Sequence, residues 1–328
     1  MARLLDVRNL HIALKKSGKI INAVDNVSFT VDEGEILGLA GETGCGKTMT
    51  ALSIAGLMPQ KAKITGGKII FNNRQLTSLP EKEYCKIRGK EISMIFQEVR
   101  QSLNPLIKVG RQIREALEIN SAETNPAERK KYKRRTVETL FRLGFDEPKK
   151  IYNAYPHQLS GGMCQLIMAA IAAITNPRLL LADEPSSSLD AQAQERILSM
   201  LVQMNRDYKT AVLIISHDLS VIRSFCSRFI VMYAGKIVEE GNADALYSPL
   251  HPYTEALIGA IPGKDKRGSE LANIPGKVPS VEDNFTGCPF APRCKKAQEI
   301  CNKAFPGVSE TDNGRFYCYF PGTGSSNG

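Results

Sequence analysis

The fold is decided by the stretch Gly41-Glu42-Thr43-Gly44-Cys45-Gly46-Lys47-Thr48. It has the spacing of a phosphate-binding loop, in which two glycines enclose four variable residues and a lysine and a hydroxyl residue follow. An apolar run of strand length, residues 35–40, precedes it, and the helix-forming residues 49–57 follow it. A strand that leads through glycines into a helix directs backbone N–H groups and the positive end of the helix dipole at one point. The sequence therefore predicts a site for a nucleoside triphosphate.

The residue types in this loop suit a phosphate chain. Its glycines let the main chain approach the phosphates closely, where a Cβ would obstruct it. In such loops the lysine reaches the β- and γ-phosphates and the hydroxyl residue is a ligand of Mg²⁺. The residues predicted to bind the nucleotide here are Gly41, Glu42, Thr43, Gly44, Cys45, Gly46, Lys47 and Thr48.

Composition and hydropathy narrow the class of protein. The chain has 328 residues, of which 42% are hydrophobic, enough for one large domain with an appendage or for two domains. It contains no run of 18 apolar residues, and residues 1–7 have the pattern of a first strand and not of a signal peptide. We therefore expect a cytosolic protein, which leaves docking on a membrane protein open.

The net charge of +9 raises the question of acidic partners, including nucleic acid. The densest basic run, residues 129–135, lies in a segment with a helical pattern. A solvated helix face explains such a run more simply than a nucleic-acid groove does. We therefore expect no nucleic-acid partner.

The order of strand-like and helix-like segments predicts an α/β fold. Short apolar runs and turns in residues 3–40 indicate an N-terminal antiparallel β-subdomain. Strands and helices then alternate around the loop, which is typical of a parallel sheet covered by helices. A helical pattern over residues 105–175 interrupts the alternation as an inserted subdomain. The predicted strands are 68–71, 92–96, 179–182, 211–216, 229–233 and 236–240, and the predicted helices are 191–208 and 218–226.

Other polar residues follow apolar segments in a way that suits phosphate chemistry. Asp183 and Glu184 end an apolar strand, at the edge where a parallel sheet presents ligands. There Asp183 can hold Mg²⁺ and Glu184 can polarise an attacking water. Ser160, Gly161 and Gly162 open a helix through small residues, which makes a second helix N-terminus suited to an anion.

The order of these motifs is more specific than any one of them. Along the chain come the phosphate loop, Gln97 at a strand end, the Ser-Gly-Gly helix start, the Asp-Glu pair and His217 at another strand end. This succession resembles the ATP-binding cassette (ABC) ATPases, the motor subunits of ABC transporters, over roughly residues 3–250. The resemblance implies a P-loop NTPase fold and hydrolysis of ATP with Mg²⁺.

The family's roles carry over to the matching positions. Gln97 corresponds to the Q-loop glutamine, which senses Mg²⁺ and the transmembrane partner, and Asp183 to the Walker B aspartate. Glu184 corresponds to the catalytic glutamate and His217 to the switch histidine at the γ-phosphate. Thr48, Gln97 and Asp183 are therefore the predicted Mg²⁺ ligands.

Two further motifs imply a pair of subunits. Residues 159–163 match the signature motif, which in that family covers the nucleotide bound to the other subunit, so that Ser160, Gly161 and Gly162 are predicted to contact ATP. Residues 188–190 match the D-loop. The resemblance thus implies a head-to-tail dimer with ATP between its subunits.

Six further segments carry a closer resemblance: 95–98, 102–105, 109–113, 155–163, 251–254 and 274–280. They look like segments of the ATPase subunits of dipeptide and oligopeptide importers. This resemblance implies a second ATPase subunit, two transmembrane permeases, an extracellular substrate-binding protein as an indirect partner, and a peripheral position at the cytoplasmic face of the membrane. A signature ending in Met163 is usual for one of the two ATPases of such importers, which favours a heterodimer.

Two alternatives to peptide import remain open. Nickel or metal-chelate importers use closely similar ATPases. A soluble ABC ATPase acting on nucleic acid is less favoured, because this chain has one cassette and no heptad repeat. On the favoured interpretation residues 1–250 form the nucleotide-binding domain, with a helical subdomain at about 98–175, and residues 251–328 form a C-terminal extension.

The chain departs from the family pattern in three places. Leu14 stands near the place of the adenine-stacking aromatic residue, and Cys164 and Leu166 replace arginines of the helix after the signature. The third departure is the run Ser186-Ser187-Ser188, which replaces a threonine-rich run at the D-loop. None of these changes removes a group that holds phosphate or metal or activates water. We therefore expect an active ATPase.

The C-terminal extension is rich in cysteine. Its thiols suit Zn²⁺ or an iron–sulfur cluster, although the spacing matches neither standard pattern and leaves free thiols open. Similar tails in peptide-importer ATPases look like [4Fe–4S] sites, so the resemblance favours that cluster, with Zn²⁺ as the alternative. The predicted ligands are Cys288, Cys294, Cys301 and Cys318.

Overall fold

The computed structural model describes residues 2–16, 18–97, 102–119, 121, 125–187, 189–261, 274–278, 285–312 and 314–322. Contacts between Cα atoms divide the chain into two compact units. The first unit comprises residues 1–4, 32–35 and 78–214, and the second comprises residues 5–31, 36–77 and 215–328.

Both units combine strands with helices. The described strands are β1 (Arg3–Lys16), β2 (Lys19–Asp32), β3 (Ile36–Ala40), β4 (Ala62–Phe71), β5 (Arg74–Gln75), β6 (Ile92–Ile95), β7 (Leu179–Asp183), β8 (Ala211–Ser216), β9 (Arg228–Tyr233), β10 (Lys236–Asn242), β11 (Ser309–Thr311) and β12 (Gly314–Phe316). The described helices are α1 (Lys47–Ala55), α2 (Glu81–Ile87), α3 (Val109–Ile119), α4 (Pro126–Arg142), α5 (Pro148–Asn153), α6 (Gly161–Ala173), α7 (Ala191–Tyr208), α8 (Leu219–Phe225), α9 (Pro252–Gly259) and α10 (Glu299–Lys303), with 3₁₀ turns at Pro156–Gln158, Ala243–Tyr247 and Ala291–Arg293.

The N-terminal strands of the second unit form a four-stranded sheet in the order β2-β1-β4-β5. β1 and β4 are antiparallel, with Leu5 opposite Phe71 and Leu14 opposite Ala62. β2 is one continuous strand of 14 residues, longer than the short runs that the sequence indicated for residues 3–40. Its inward side chains alternate with exposed ones, as expected for a sheet with one buried face.

The phosphate loop of the second unit begins at a different set of strands, in the order β11-β12-β10-β9-β3. β3 and β9 are parallel, with Leu37 opposite Arg228. β9 and β10 form a hairpin whose turn residues Ala234 and Gly235 both have positive φ, at 46° and 82°, as a type I′ turn requires. The C-terminal strand β12 pairs antiparallel with β10, so the tail of the chain extends this set of strands.

The strands of the first unit run in the order β8-β7-β6. β6 and β7 are parallel, and Ile95 pairs with Ala182. All five residues of β7 are buried, which fits a continuous apolar run in a parallel sheet covered on both faces. Because β7 ends at Asp183, this carboxylate lies at the carboxyl end of the sheet.

The basic run 129–135 lies on α4, as the helical pattern predicted, and its Lys and Arg side chains are mostly exposed. Intrahelical ion pairs offset part of its charge, with Lys131 Nζ 3.6 Å from Glu128 and Arg134 Nε 3.6 Å from Glu138. Exposed pairs of this kind stabilise a helix only slightly. The run is thus a solvated helix face.

Most predicted elements agree with the structure to within one or two residues. The helix predicted at 191–208 and the strand predicted at 211–216 coincide with α7 and β8. α1 ends before Gly56, which adopts the left-handed conformation of a helix C-cap. No helix in the described part of the chain combines the length and the apolarity that crossing a bilayer requires.

A buried polar cluster lies at the start of α9. The Glu239 carboxylate accepts hydrogen bonds from the backbone N–H groups of Leu250 and His251, at 2.8 and 3.0 Å. His251 Nδ1 in turn caps α9 by accepting from the N–H of Tyr253 at 3.1 Å. Burial lowers the pKa of His251 to about 3 and raises that of Glu239. The imidazole is therefore neutral at physiological pH.

We expect the buried neutral His251 to make folding sensitive to mild acid. Its pKa is lower in the folded chain than the ordinary 6.5, so the unfolded chain binds more protons below that pH and stability falls as pH falls. Between pH 6.5 and 5.5 the loss is about 1 kcal/mol. In the variant His251→Asn, which keeps a capping acceptor, this loss disappears, as urea unfolding of both proteins at the two pH values would measure. The Glu239 contribution has the opposite sign and is common to both proteins, and equal pH slopes would contradict the assignment.

Candidate nucleotide-binding site

The phosphate loop connects the buried strand β3 to α1 in a backbone conformation that glycine favours. Gly41, Gly44 and Gly46 have φ values of 144°, 86° and 105°, in the region that residues with a Cβ rarely adopt. A Cβ on Gly46 would lie 2.6 Å from the carbonyl oxygen of Ala23, and one on Gly41 would collide with the carbonyl oxygen of Met232. The loop therefore combines a positive φ with close backbone approach.

Lys47 lies inside the curve of this loop. Its side chain is buried, and Nζ donates hydrogen bonds to the carbonyl oxygens of Gly41 at 2.6 Å and Glu42 at 3.0 Å. Nζ is also 3.7 Å from the Cys45 sulfur. Burial raises the pKa of the Cys45 thiol, although Lys47 opposes the shift, so the thiol is protonated. The loop thus positions one ammonium group at its centre.

The N-terminus of α1 is suited to an anion. The helix begins at Lys47, and its N-cap is Gly46, which has no side chain to cap the first turn. The N–H groups of a first helical turn have no intrahelical partners and carry the positive end of the helix dipole. Thr48 lies in this turn. These features fit the phosphate site that the sequence predicts.

In the first unit the two predicted acidic residues lie together at the end of β7. Asp183 is 1% exposed and Glu184 is 9% exposed. Glu184 has a φ of 49°, a conformation that costs a residue with a side chain roughly 1 kcal/mol or more and often occurs at functional sites. The backbone N–H and the hydroxyl of Ser187 both donate to the Glu184 carbonyl oxygen, at 3.2 and 3.0 Å. The turn after β7 therefore fixes the Glu184 backbone.

The signature residues form the exposed start of α6. Ser160 caps the helix by accepting from the N–H of Met163 at 3.2 Å. A Cβ on Gly161 would meet nothing within 4 Å, whereas one on Gly162 would contact Leu189 at 3.4 Å. One edge of this helix start is therefore open and the other packs on the segment before α7.

α6 also contacts the turn that carries Glu184, through a residue that the sequence analysis missed. The buried Gln165 amide donates to the Pro185 carbonyl oxygen at 2.9 Å. Gln165 lies between two of the departures from the family pattern, Cys164 and Leu166, which are themselves 5% and 2% exposed. Both departures therefore contribute apolar packing in α6. The one sequence signal that pointed to Gln165 is that it lies two residues after the signature motif, residues 159–163.

The other predicted residues lie at strand ends or strand surfaces. Gln97 is exposed two residues after β6, and His217 is exposed immediately after β8. Leu14 is partly buried on β1. Of the D-loop, Ser188 lies outside the described residues, and Asp190 caps α7 by accepting from the N–H of Ala193 at 2.8 Å.

Two residues far along the chain contact the phosphate loop and were also missed. The N–H of Glu42 donates to the Tyr253 hydroxyl at 2.8 Å, and the Glu42 carboxylate pairs with Arg293. Their separations in sequence are 211 and 251 residues. Local patterns carry no signal for contacts at such distances.

The prediction of an iron–sulfur cluster or Zn²⁺ at the four cysteines is wrong. They line one small cavity of about 20 Å³, but no group of three or more His, Cys, Asp or Glu residues in the described ranges is placed to hold a metal ion. Burial raises the pKa of Cys288 to about 11 and also raises those of Cys294 and Cys318. Thiolates and not thiols are metal ligands, so burial favours the protonated form of these three cysteines.

The predicted Mg²⁺ ligands have the right chemistry for that ion. The Thr48 hydroxyl, the Gln97 amide and the Asp183 carboxylate each offer a hard oxygen donor, and Mg²⁺ is commonly held by one or two protein oxygens together with phosphate oxygens and water. Asp183 is buried at the end of β7, so its carboxylate has a fixed place in the sheet. Taken one by one, these groups are donors of the kind that Mg²⁺ binds.

A strand–loop–helix phosphate site, an Asp-Glu pair at a strand end and a Ser-Gly-Gly helix start define an ABC-type ATPase cassette. Residues 24–187 match the family described as ABC transporter, and residues 238–301 match the family described as oligopeptide/dipeptide transporter, C-terminal region. The ATP-binding cassette MJ0796, solved as a dimer in a post-hydrolysis state with ADP and Pi, has a TM-score of 0.67 and 29% identity, covering 73% of this chain and 99% of that one.

Curated relatives match over nearly the whole chain. The oligopeptide transport ATP-binding protein AppD of Bacillus subtilis is 43% identical over 96% of this chain and 95% of its own length. The oligopeptide transport ATP-binding protein OppD of Salmonella typhimurium is 40% identical over 92% of this chain and 89% of its own length. The chain therefore belongs to the ABC transporter ATP-binding subunits of the oligopeptide/dipeptide type. It is an ATPase whose hydrolysis is coupled to transport.

The glycine conformations of the loop predict unequal costs of substitution. Gly46→Ala adds backbone strain of about 1–3 kcal/mol and a clash with Ala23, whereas Gly44→Ala adds strain alone, because a Cβ there meets nothing within 4 Å. We therefore expect Gly46→Ala to lower the thermal unfolding midpoint more than Gly44→Ala does. Differential scanning calorimetry of the two variants measures the difference, and a greater loss in Gly44→Ala would refute the loop geometry.

Proposed function

We propose that this protein is the ATP-hydrolysing motor of a membrane importer for dipeptides and oligopeptides. The observation that carries the proposal is the joint presence, in one chain, of the cassette and of a C-terminal region of the oligopeptide/dipeptide type. The names of relatives that align over most of their length support the same cargo. Those relatives are named as ATP-binding proteins, and the energy source we propose is ATP.

The site residues have distinct proposed roles. Residues 41–48 hold the phosphates, with Lys47 at the β- and γ-phosphates and Thr48 and Asp183 as ligands of Mg²⁺, which neutralises phosphate charge when bound. Glu184 accepts a proton from the attacking water, and its fixed backbone directs the carboxylate. Gln97 and His217, both exposed at strand ends, respond to the metal and the γ-phosphate.

The exposed start of α6 supports a two-subunit mechanism. Ser160, Gly161 and Gly162 present an uncrowded helix N-terminus, which we propose binds ATP held by a second ATPase subunit in a head-to-tail dimer. A signature that ends in Met163 favours a homologous mate over a second copy. ATP closes the dimer and hydrolysis reopens it, because the closed state binds ATP more tightly than ADP.

The remaining partners follow from this role. Two permease subunits form the path across the membrane, and an extracellular binding protein delivers the cargo. The chain is then a peripheral protein on the cytoplasmic face, with residues 1–250 as the nucleotide-binding domain, including a helical subdomain at about 98–175, and residues 251–328 as the extension.

Replacing the proposed catalytic base separates ATP binding from turnover. Glu184→Gln removes the proton acceptor and keeps the shape of the side chain, so we expect steady-state hydrolysis by the assembled transporter to fall by about 10²–10⁴-fold. ATP-dependent association with the second ATPase subunit should persist, because the phosphate ligands are unchanged. Phosphate release and analytical ultracentrifugation measure the two properties.

The matched control is Glu195→Gln, which changes an exposed glutamate of α7 in the same way. It should leave hydrolysis at the wild-type rate. If Glu184→Gln retained turnover, Glu184 would not be the base.

The cargo is tested by uptake in cells that lack the gene for this protein. We expect loss of uptake of labelled dipeptides and oligopeptides, and its recovery when the wild-type gene but not the Glu184→Gln gene is returned. Uptake of ⁶³Ni²⁺ serves as the comparison. Loss of nickel uptake with normal peptide uptake would replace peptide by metal as the cargo.

A further inference from the structure

Every polar group of Glu42, the residue that follows the first glycine of the phosphate loop, is used in holding the loop. Its carbonyl oxygen accepts from Lys47 Nζ at 3.0 Å and its N–H donates to the Tyr253 hydroxyl at 2.8 Å. Its carboxylate accepts two hydrogen bonds from Arg293, at 2.6 and 3.0 Å. Two of the three contacts therefore come from the C-terminal extension.

Arg293 is held in place independently of Glu42. Its Nε donates to the Pro275 carbonyl oxygen at 2.9 Å, and one of its terminal nitrogens donates to the Tyr233 hydroxyl at 3.2 Å. The side chain is 5% exposed, against 20% for that of Glu42. A guanidinium that is fixed by several acceptors and binds a carboxylate through two parallel bonds imposes its geometry on the carboxylate.

Tyr253 is fixed by aromatic packing. Its ring lies 4.5 Å from that of Tyr233 and 5.2 Å from that of Phe290, between centroids. All three residues are at most 2% exposed. Tyr233 ends β9, Tyr253 lies in the first turn of α9 and Phe290 immediately precedes the 3₁₀ turn that carries Arg293. The aromatic cluster thus joins the extension to the strand beside β3.

We propose that Arg293 and Tyr253 are positioning residues for the phosphate loop, through which the C-terminal extension sets the affinity of this protein for ATP. Arg293 holds the Glu42 carboxylate and neutralises its charge, and Tyr253 holds the Glu42 N–H. The loop is thereby kept in one conformation with Lys47 at its centre. The inference rests on ATP binding at residues 41–48, as proposed above.

The electrostatic consequence of losing Arg293 is unfavourable for ATP. An unpaired Glu42 carboxylate would leave a negative charge within the loop that receives the phosphates, and like charges at such distances repel. The loop would also lose the constraint on its second residue and become less preorganised. Both effects weaken binding of the nucleotide.

Binding of Mg-ATP to the full-length chain, measured by isothermal titration calorimetry, tests the proposal. We expect Arg293→Gln to raise the Kd about tenfold, within the usual range of coupling between two sites. Tyr253→Phe removes only the hydroxyl and keeps the aromatic cluster, so it should raise the Kd by a smaller factor. The thermal unfolding midpoint shows whether Arg293→Gln still folds. If that variant does not fold, the Kd of Tyr253→Phe still tests the proposal.

The matched control is Arg315→Gln. Arg315 also belongs to the extension and pairs with a buried acid, Glu240, at 2.8 Å, but that acid is on β10 and not in the phosphate loop. Its loss weakens attachment of the extension without touching Glu42. We expect less than a twofold change in Kd, whereas a change as large as that of Arg293→Gln would overturn the specific role of Arg293.

A double-mutant cycle identifies Glu42 as the residue through which Arg293 acts. In the Glu42→Gln background the charge is gone, so the further change Arg293→Gln should leave the Kd within about twofold of the Glu42→Gln value. Additive effects would overturn the proposal, as would wild-type affinity in Arg293→Gln. If the wild-type chain itself failed to bind Mg-ATP, the proposed nucleotide site would be wrong and this inference with it.

Discussion

Close backbone approach at the phosphate loop is the constraint on which the second unit depends. The loop is bounded by the carbonyl oxygens of Ala23 on β2 and Met232 on β9, so tightly that a Cβ at Gly46 or Gly41 could not be accommodated. Because these carbonyls are fixed in strands, the loop cannot relax by moving away. Lys47 fills the remaining space with an ammonium group that bonds to the loop's own carbonyl oxygens. The strands thus restrict the phosphate loop to one backbone conformation, which is suited to binding an anion.

The parts of the fold that local chemistry dictates were predictable from the sequence. β7 and β8 are short apolar runs bounded by polar residues. This sequence pattern is typical of strands in a buried parallel sheet. α7 begins after Asp190, a residue type that favours the N-cap, and the sequence placed its limits correctly. The phosphate loop was predictable because its function restricts residue types at fixed spacing.

The features that depend on contacts distant in sequence were not predictable. Periodicity and composition do not indicate the hydrogen bond from Gln165 to Pro185. They also do not indicate the contacts of Glu42 with Tyr253 and Arg293. The prediction of a metal site at the four C-terminal cysteines was wrong for a related reason. Spacing shows which thiols are near in sequence, but their desolvation, and hence whether they ionise as a metal requires, depends on packing that the sequence does not display.

The ion pair between Glu42 and Arg293 joins two segments that match separate families, one ending at residue 187 and the other beginning at residue 238. The acid and the base are therefore expected to vary together during evolution, since either one alone leaves a largely buried charge uncompensated. A chimaera that exchanges the C-terminal region between relatives should accordingly exchange the residues at positions 42 and 293 together.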